Sequence, residues 1–237
     1  MQKSDYRISI RFGSDGFSLF ILDQTGNALV QRRVSELLFQ MQKDEIVRLF
    51  ETQSGIVAAD YNEVQVIVET DFYVFVPAPI FNVQSIDDYF YFQHPKDRQQ
   101  IVLFNRVENW DAVNVFSIPV QLNEALNELF PDSVIKHQLS YFLSEKLGTK
   151  EDGVYVYARL KTMDIVAVKS KTLTLVNSFA YNTAEDMAFF VLSIFDQLKL
   201  DTKTTAVKLY GKNNSLINYE LQITNYGINT EIVNHNL

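Results

Sequence analysis

VYVYARLKTMDIVAVKSKTLTLVNSFAYNTAEDMAFFVLSIFDQLKL, residues 154–200, is the stretch from which the fold is read. Val154–Leu160, Met163–Lys169 and Thr172–Tyr181 are rich in Val, Ile, Tyr and Thr, residues that suit a pleated, partly buried surface, so three strands are predicted. A helix follows at Thr183–Leu198. Ala184, Met187, Ala188, Val191, Leu192, Phe195 and Leu198 recur at helical spacing, and Phe189, Phe190 and Ile194 widen the apolar stripe to nearly all sides. Such a helix must be buried on more than one face. Asn182 as N-cap, with Glu185 three residues on, reads as a capping box. A strand at Thr205–Tyr210, a turn at Gly211–Asn214, a helix or irregular segment at Ser215–Asn225 and a last strand at Ile228–Val233 complete the unit.

A similar order begins at Tyr6. In Tyr6–Phe12, Tyr6, Ile8, Ile10 and Phe12 alternate with Arg7, Ser9 and Arg11, the period of a half-buried strand. Gly13-Ser14-Asp15-Gly16 is a turn cluster. Phe17–Leu22 and Ala28–Val34 give two further strands around a turn at Asp23–Asn27. Ser35–Met41 extends the third strand or opens a helix. Asp44–Gln53 is a helix with its acids in the first turn, where the dipole favours them, and Gly55 ends it. Glu63–Glu69 is a strand and Phe72–Val76 a further apolar run. Ser85–Phe92 is a short helix, and Ile101–Val107 and Ala112–Ser117 are paired strands with a turn around Asn109–Asp111. Pro119–Phe130 is a helix, and Val134–Leu147 a strand running into a loop. Gly148–Gly153 is polar and turn-rich. Two subdomains are therefore expected, 1–150 with an insertion around 72–118, and 151–237, each a βββαβ unit facing a cleft.

Composition narrows the function classes. The chain has 237 residues, 47% hydrophobic and 21% charged, which suits a globular protein with a real core. The net charge of −8, with no basic stripe, argues against nucleic acid and anionic membrane surfaces as partners. The chain has no Cys, which removes disulfides, thiolate catalysis and Cys-based metal sites. No run approaches the roughly 18 apolar residues of a membrane span, and Met1–Asp15 lacks the pattern of a secretory signal, so a cytoplasmic protein without membrane insertion is expected. His94, His137 and His235 are far apart and form no zinc pattern. Asp87 and Asp88 diverge on a helix, and no G-x-S-x-G elbow is present. Phe72–Phe81 and Tyr89–Phe92 are unusually aromatic; core packing and an exposed protein-binding patch are the two readings.

YRISIRFGSDGFSLFILDQTGNALV (6–30), VYVYARLKTMDIVAVKSKTLTLVNSFAY (154–181) and TAVKLYGKNN (205–214) resemble an uncharacterised bacterial family with the actin-like ATPase fold of actin, Hsp70 and sugar kinases. The resemblance implies an α/β protein of duplicated βββαβαβ units, of ribonuclease H-like type, with mixed five-stranded sheets flanked by helices. In active members of that fold an Asp precedes a Gly-rich phosphate turn; here Arg11-Phe12 stands in its place, before Gly13-Ser14-Asp15-Gly16. The second hairpin, around Lys161-Thr162, has no Gly where a Gly-rich turn is wanted. The paired glycines of the adenine side are reduced to one in Gly211-Lys212-Asn213. The expectation is a non-catalytic domain, with no cofactor, acting through contacts with another protein or as a homo-oligomer. The alternative is a divergent ATPase or kinase-like protein that binds ATP or ADP with Mg in the cleft through Gly13, Ser14, Asp15, Gly16, Lys161, Thr162, Gly211, Lys212 and Asn213.

Overall fold

The alternation in Tyr6–Phe12 does produce a strand, β1 (Arg7–Gly13), but it is buried on both sides. Ile8, Ile10 and Phe12 point into one layer of the core, and Ser9 and Arg11 are also buried. The cause is position: β1 lies in the middle of a five-stranded sheet. The structure is a computed structural model and describes residues 6–25, 28–56, 61, 63–147, 151–159, 161–211 and 213–233. Of the residues singled out above, Lys212 and His235 lie outside this set, as do Gly148–Lys150 of the predicted boundary. The chain divides into two compact units, Met1–Gly148 and Thr149–Leu237.

In the first unit β1 pairs antiparallel with β2 (Gly16–Leu22), which pairs antiparallel with β3 (Ala28–Val34). The segment Ser35–Met41 becomes neither strand nor α-helix; it holds a 3-10 turn at Leu38–Gln40. Then α1 (Lys43–Ser54) runs to Gly55, whose left-handed φ of 66° closes the helix as a glycine readily does. β4 (Glu63–Val68) returns parallel to β1. A separate three-stranded antiparallel sheet follows, made of β5 (Tyr73–Pro77), β6 (Gln100–Val107) and β7 (Ala112–Pro119), with β7 in the middle and α2 (Ile86–Tyr91) packed on one face. After α3 (Val120–Leu129), β8 (Ile135–His137) adds parallel to β4, giving the order β3-β2-β1-β4-β8. Phe50 of α1 and Phe130 after α3 close over Phe12 and Phe17, with ring centroids 5.1 to 6.2 Å apart.

A further sequence expectation fails in this unit. Val134–Leu147 does not run from strand to loop. Three residues of β8 are followed by α4 (Gln138–Tyr141), which widens into a π-helical turn at Phe142–Lys146. Leu139, Phe142 and Leu143 are buried by it. The helix hides in the sequence because its polar residues, Gln138 and Ser140, are also buried.

The second unit repeats the plan with β9 (Gly153–Ala158), β10 (Thr162–Lys169), β11 (Thr172–Ala180), α5 (Ala184–Leu198), β12 (Val207–Tyr210), α6 (Asn213–Thr224) and β13 (Thr230–Ile232). Its order, β11-β10-β9-β12-β13, matches that of the first sheet, as do its parallel and antiparallel pairings. The likeness extends to a defect: the third strand of each unit carries one extra residue, Leu29 on β3 and Thr174 on β11. Val154, Val156, Met163, Ile165, Val207 and Leu209 form the sheet side of the core, and α5 and α6 supply the cover.

The helix start is shifted by one residue from the predicted box. Thr183, not Asn182, is the N-cap of α5, and Asp186, not Glu185, closes the box. Asp186 Oδ2 accepts from the backbone N–H groups of Asn182 (2.9 Å) and Thr183 (3.0 Å), which hold its carboxyl below the usual carboxylate range. A depressed carboxyl contributes stability above its unfolded value, about 3.9, and that contribution is lost as pH falls below it. The melting temperature of an Asp186→Asn variant should therefore lie below wild type at neutral pH, and the gap should close between about pH 5 and pH 2.

Candidate functional site

The candidate phosphate turn is the shortest hairpin the chain could make. Gly13 pairs with Gly16, so only Ser14 and Asp15 form the loop. Both are exposed. Gly16 has φ 132°, and a side chain there would run into the carbonyl of Val34 on β3. Its glycine is thus required by the sheet's own backbone. A methyl group at Gly13 would lie 3.1 Å from Asp15 Oδ1 and 3.8 Å from Glu69 Oε2, so two carboxylates flank the turn. Asp15 is paired with Arg33 (2.7 Å). A phosphate cradle needs backbone N–H groups converging in an electropositive nest; this turn is two residues long, and its flanking carboxylates are each paired with an arginine, Asp15 with Arg33 and Glu69 with Arg11.

Arg11, two residues before the end of β1, reaches Glu69 at 3.4 Å and lies over the ring of Tyr141 at 5.3 Å. Lys146 approaches the same ring at 5.7 Å. Burial pushes the Lys146 ammonium down, and the charges of Arg11 and Arg7 add to this. Burial raises the Tyr141 phenol. This group was invisible in the sequence because Tyr141 and Lys146 lie on the unpredicted α4 and its π-helical continuation.

In the second unit the structure does bring predicted residues to one end of a sheet. Arg159 N–H donates to the Thr162 carbonyl (2.8 Å), and Tyr181 N–H to the Lys161 carbonyl (3.0 Å), closing the β9–β10 turn that carries the exposed Lys161. Gly211 sits beside it: φ is 144°, and a Cβ would be 2.7 Å from the Ala158 carbonyl. Asn213 opens α6 rather than belonging to a turn. Beneath the turn Arg159 forks onto Asp164, with Nε to Oδ2 at 3.1 Å and Nη2 to Oδ1 at 3.0 Å. Asp164 is fully buried, and the Ser178 hydroxyl donates to its Oδ1. Tyr181 Oη donates to the Arg159 carbonyl (2.6 Å), and burial, followed by the hydrogen bond from Tyr219, raises its phenol.

The histidines that the structure describes are occupied. His137 Nδ1 accepts from Leu139 N–H (3.1 Å), so its proton lies on Nε2 and goes to the Thr70 carbonyl (3.0 Å). His94 stacks on Phe90 at 4.6 Å. Among the described residues no group of three His, Asp or Glu side chains is placed to hold a metal, and no helix is long and apolar enough to cross a membrane.

Residues 1–226 match the model of a family described as a protein of unknown function, DUF3822. The chain belongs to that family. No curated protein matches it. Among solved structures it is similar to a Bacteroides thetaiotaomicron protein with actin-like ATPase fold and unknown function, 22% identical over 98% of this chain and 91% of that one, with a TM-score of 0.80. It is also similar to the ethanolamine utilization protein EutJ from Carboxydothermus hydrogenoformans (11% identity, 96% and 84% covered, TM-score 0.53) and to a chain of the PilM-PilN type IV pilus biogenesis complex (12%, 96% and 88%, 0.55). This DUF3822 member thus has the actin-like fold that its sequence resembles.

Breaking a buried, forked ion pair on one side strands a charge, at a cost of about 3–5 kcal/mol. Urea denaturation of Asp164→Asn should show a loss of that order, and Arg159→Met with Asp164→Leu should recover most of it. Gly16→Ala should cost about 2 kcal/mol or more, because both φ and the Val34 carbonyl oppose a side chain.

Proposed function

We propose that this chain is a non-catalytic actin-like domain that works through contacts with another protein or with itself. The observation that carries the proposal is the β1–β2 turn. Its Gly16 serves the packing of the protein's own backbone, its loop is two residues long, and Asp15 and Glu69 flank it. The second hairpin supports the same reading, since Arg159 is engaged by buried Asp164 and is not presented to a ligand.

Apolar side chains left in solvent support contact as the mode of action. Of the aromatic run in the first unit, Phe81, Tyr89, Phe90 and Tyr91 pack into the core of the three-stranded sheet. Phe72, Ile80 and Phe92 remain exposed, Phe92 to 88%. In the second unit Phe189, Ile217, Leu221 and Tyr226 are exposed as well. Aromatic anchors dominate protein interfaces. One similar structure comes from a complex of named protein partners, PilM-PilN.

Thermal unfolding of the full chain with millimolar Mg-ATP or Mg-ADP tests this. Ligand at 100 times its Kd adds about 2.7 kcal/mol, a rise of several degrees in a chain of this size. The expected change is below about 1 °C, with no phosphate release. A saturable rise, lost in Lys161→Ala or Gly13→Val, would overturn the proposal in favour of a nucleotide site.

A further inference from the structure

We infer that His137 is a proton-sensitive latch on α4: a second proton on its ring breaks the cap of that helix and loosens the segment from Leu139 to Leu147, while the strands stay paired. The latch goes beyond the protein-contact reading and does not depend on it. His137 ends β8 and is the N-cap of α4. Its side chain is fully buried. Nδ1 accepts from the Leu139 N–H at 3.1 Å and from Asn114 Nδ2 at 2.8 Å, and Nε2–H donates to the Thr70 carbonyl at 3.0 Å. A backbone N–H can only donate, so the ring that fits here is the neutral one.

The rings of Tyr73 on β5 and Phe116 on β7 pack against it, each at 5.1 Å between centroids. A phenol carries no charge at acid pH. The charged residues on the surrounding elements are engaged elsewhere or turned out. Glu69 meets Arg11, Lys136 meets Glu145, Lys146 approaches the Tyr141 ring, Arg106 lies over Phe81, and Asp71 is exposed.

A proton on Nδ1 makes that atom a donor facing two donors. The three partners differ in how they can respond. The Thr70 bond survives, since Nε2 keeps its hydrogen. Asn114 can follow the proton. Its Oδ1 is buried with no donor among the described residues, while Nδ2 holds both His137 and, at 3.0 Å, the Ser140 hydroxyl. Turning the amide over lets Oδ1 accept from the charged ring and from Ser140, and exchanges one unmet atom for another. The Leu139 N–H cannot turn, because it belongs to the backbone of α4. The cap is therefore the bond that fails, and the new cation stands at the positive end of the helix. α4 has four residues before its π-helical turn, so it has little internal bonding to hold it once the cap is lost. The loosened segment carries Tyr141 and Lys146, which lie with Arg11, and the Leu143 carbonyl, which accepts from Trp110 Nε1–H at 3.1 Å.

Hydrogen exchange of the full chain, followed amide by amide and corrected for intrinsic rates, tests the latch. An opened ring takes its proton with the ordinary histidine value, about 6.5, so the cap is intact above that pH and weakens below it. The opening constant at Leu139 and Phe142 should rise about 25-fold from pH 7 to pH 5. It should exceed that at Ile10 and Val115, which sit mid-strand in β1 and β7 and report opening of the whole unit. His137→Gln keeps an acceptor and a donor without a titratable group, and should hold the rise below about threefold. If that variant does not fold, the wild-type slope decides, at one proton taken up per opening below about pH 6.5. A slope near zero at Leu139 and Phe142, a slope retained in His137→Gln, or opening constants equal to those of Ile10 and Val115 at every pH overturns the inference.

Discussion

Backbone approaches backbone at Gly16 and Gly211 more closely than any Cβ permits, and much of the molecule's character follows from those two contacts. At Gly16 the chain turns under the carbonyl of Val34, which fixes β2 against the start of the next segment. At Gly211 the end of β12 presses on the Ala158 carbonyl, which fixes the exit of β12 against the β9–β10 hairpin. In a nucleotide-binding protein, glycines at such turns leave room for a phosphate or a base. In this chain the room is taken by the protein's own main chain.

Charge is handled in the same inward way. Asp15 faces Arg33, Glu69 faces Arg11, and Asp164 holds Arg159 on both oxygens. The charges beside the first turn and the buried pair under the second are matched to each other, while Lys161 on the second turn is exposed. The pair under the second hairpin is the extreme case, because Asp164 has left water entirely and Arg159 largely so, and neither can be given up alone. Those turns are built to be held still.

The sheets were legible in the sequence because their signal is local. Val, Ile and Tyr at period two, cut by Gly-Ser-Asp-Gly and by Ser170-Lys171, suffice to place strands and turns, and α5 announces itself by its apolar breadth. What could not be read depends on neighbours. β1 looks half-buried until β2 and β4 flank it and Arg11 is covered. α4 and its π turn were missed because Gln138 and Ser140 are polar residues kept inside by hydrogen bonds to Thr70 and Asn114. The Asp164 network was out of reach for a sharper reason. A two-residue turn at Ser170-Lys171 with Lys169 opposite Thr172 would, in a regular hairpin, set Asn177 opposite Asp164. The extra residue Thr174 moves Ser178 there instead.

That single added residue has a consequence for how such a chain changes over evolutionary time. Positions before and after Thr174 obey different alternation phases, so β11 reads as two half-strands spliced out of step. Substitutions along it exchange one side chain for another in a fixed frame. A deletion at Thr174 would remove the bulge and leave every pair in place, with Leu173 still opposite Val168, Leu175 opposite Ala167 and Ser178 opposite Asp164. The strand can thus lose one residue there without moving Ser178 from Asp164 or Phe179 from Phe190, and Leu29 on β3 gives the first unit the same latitude.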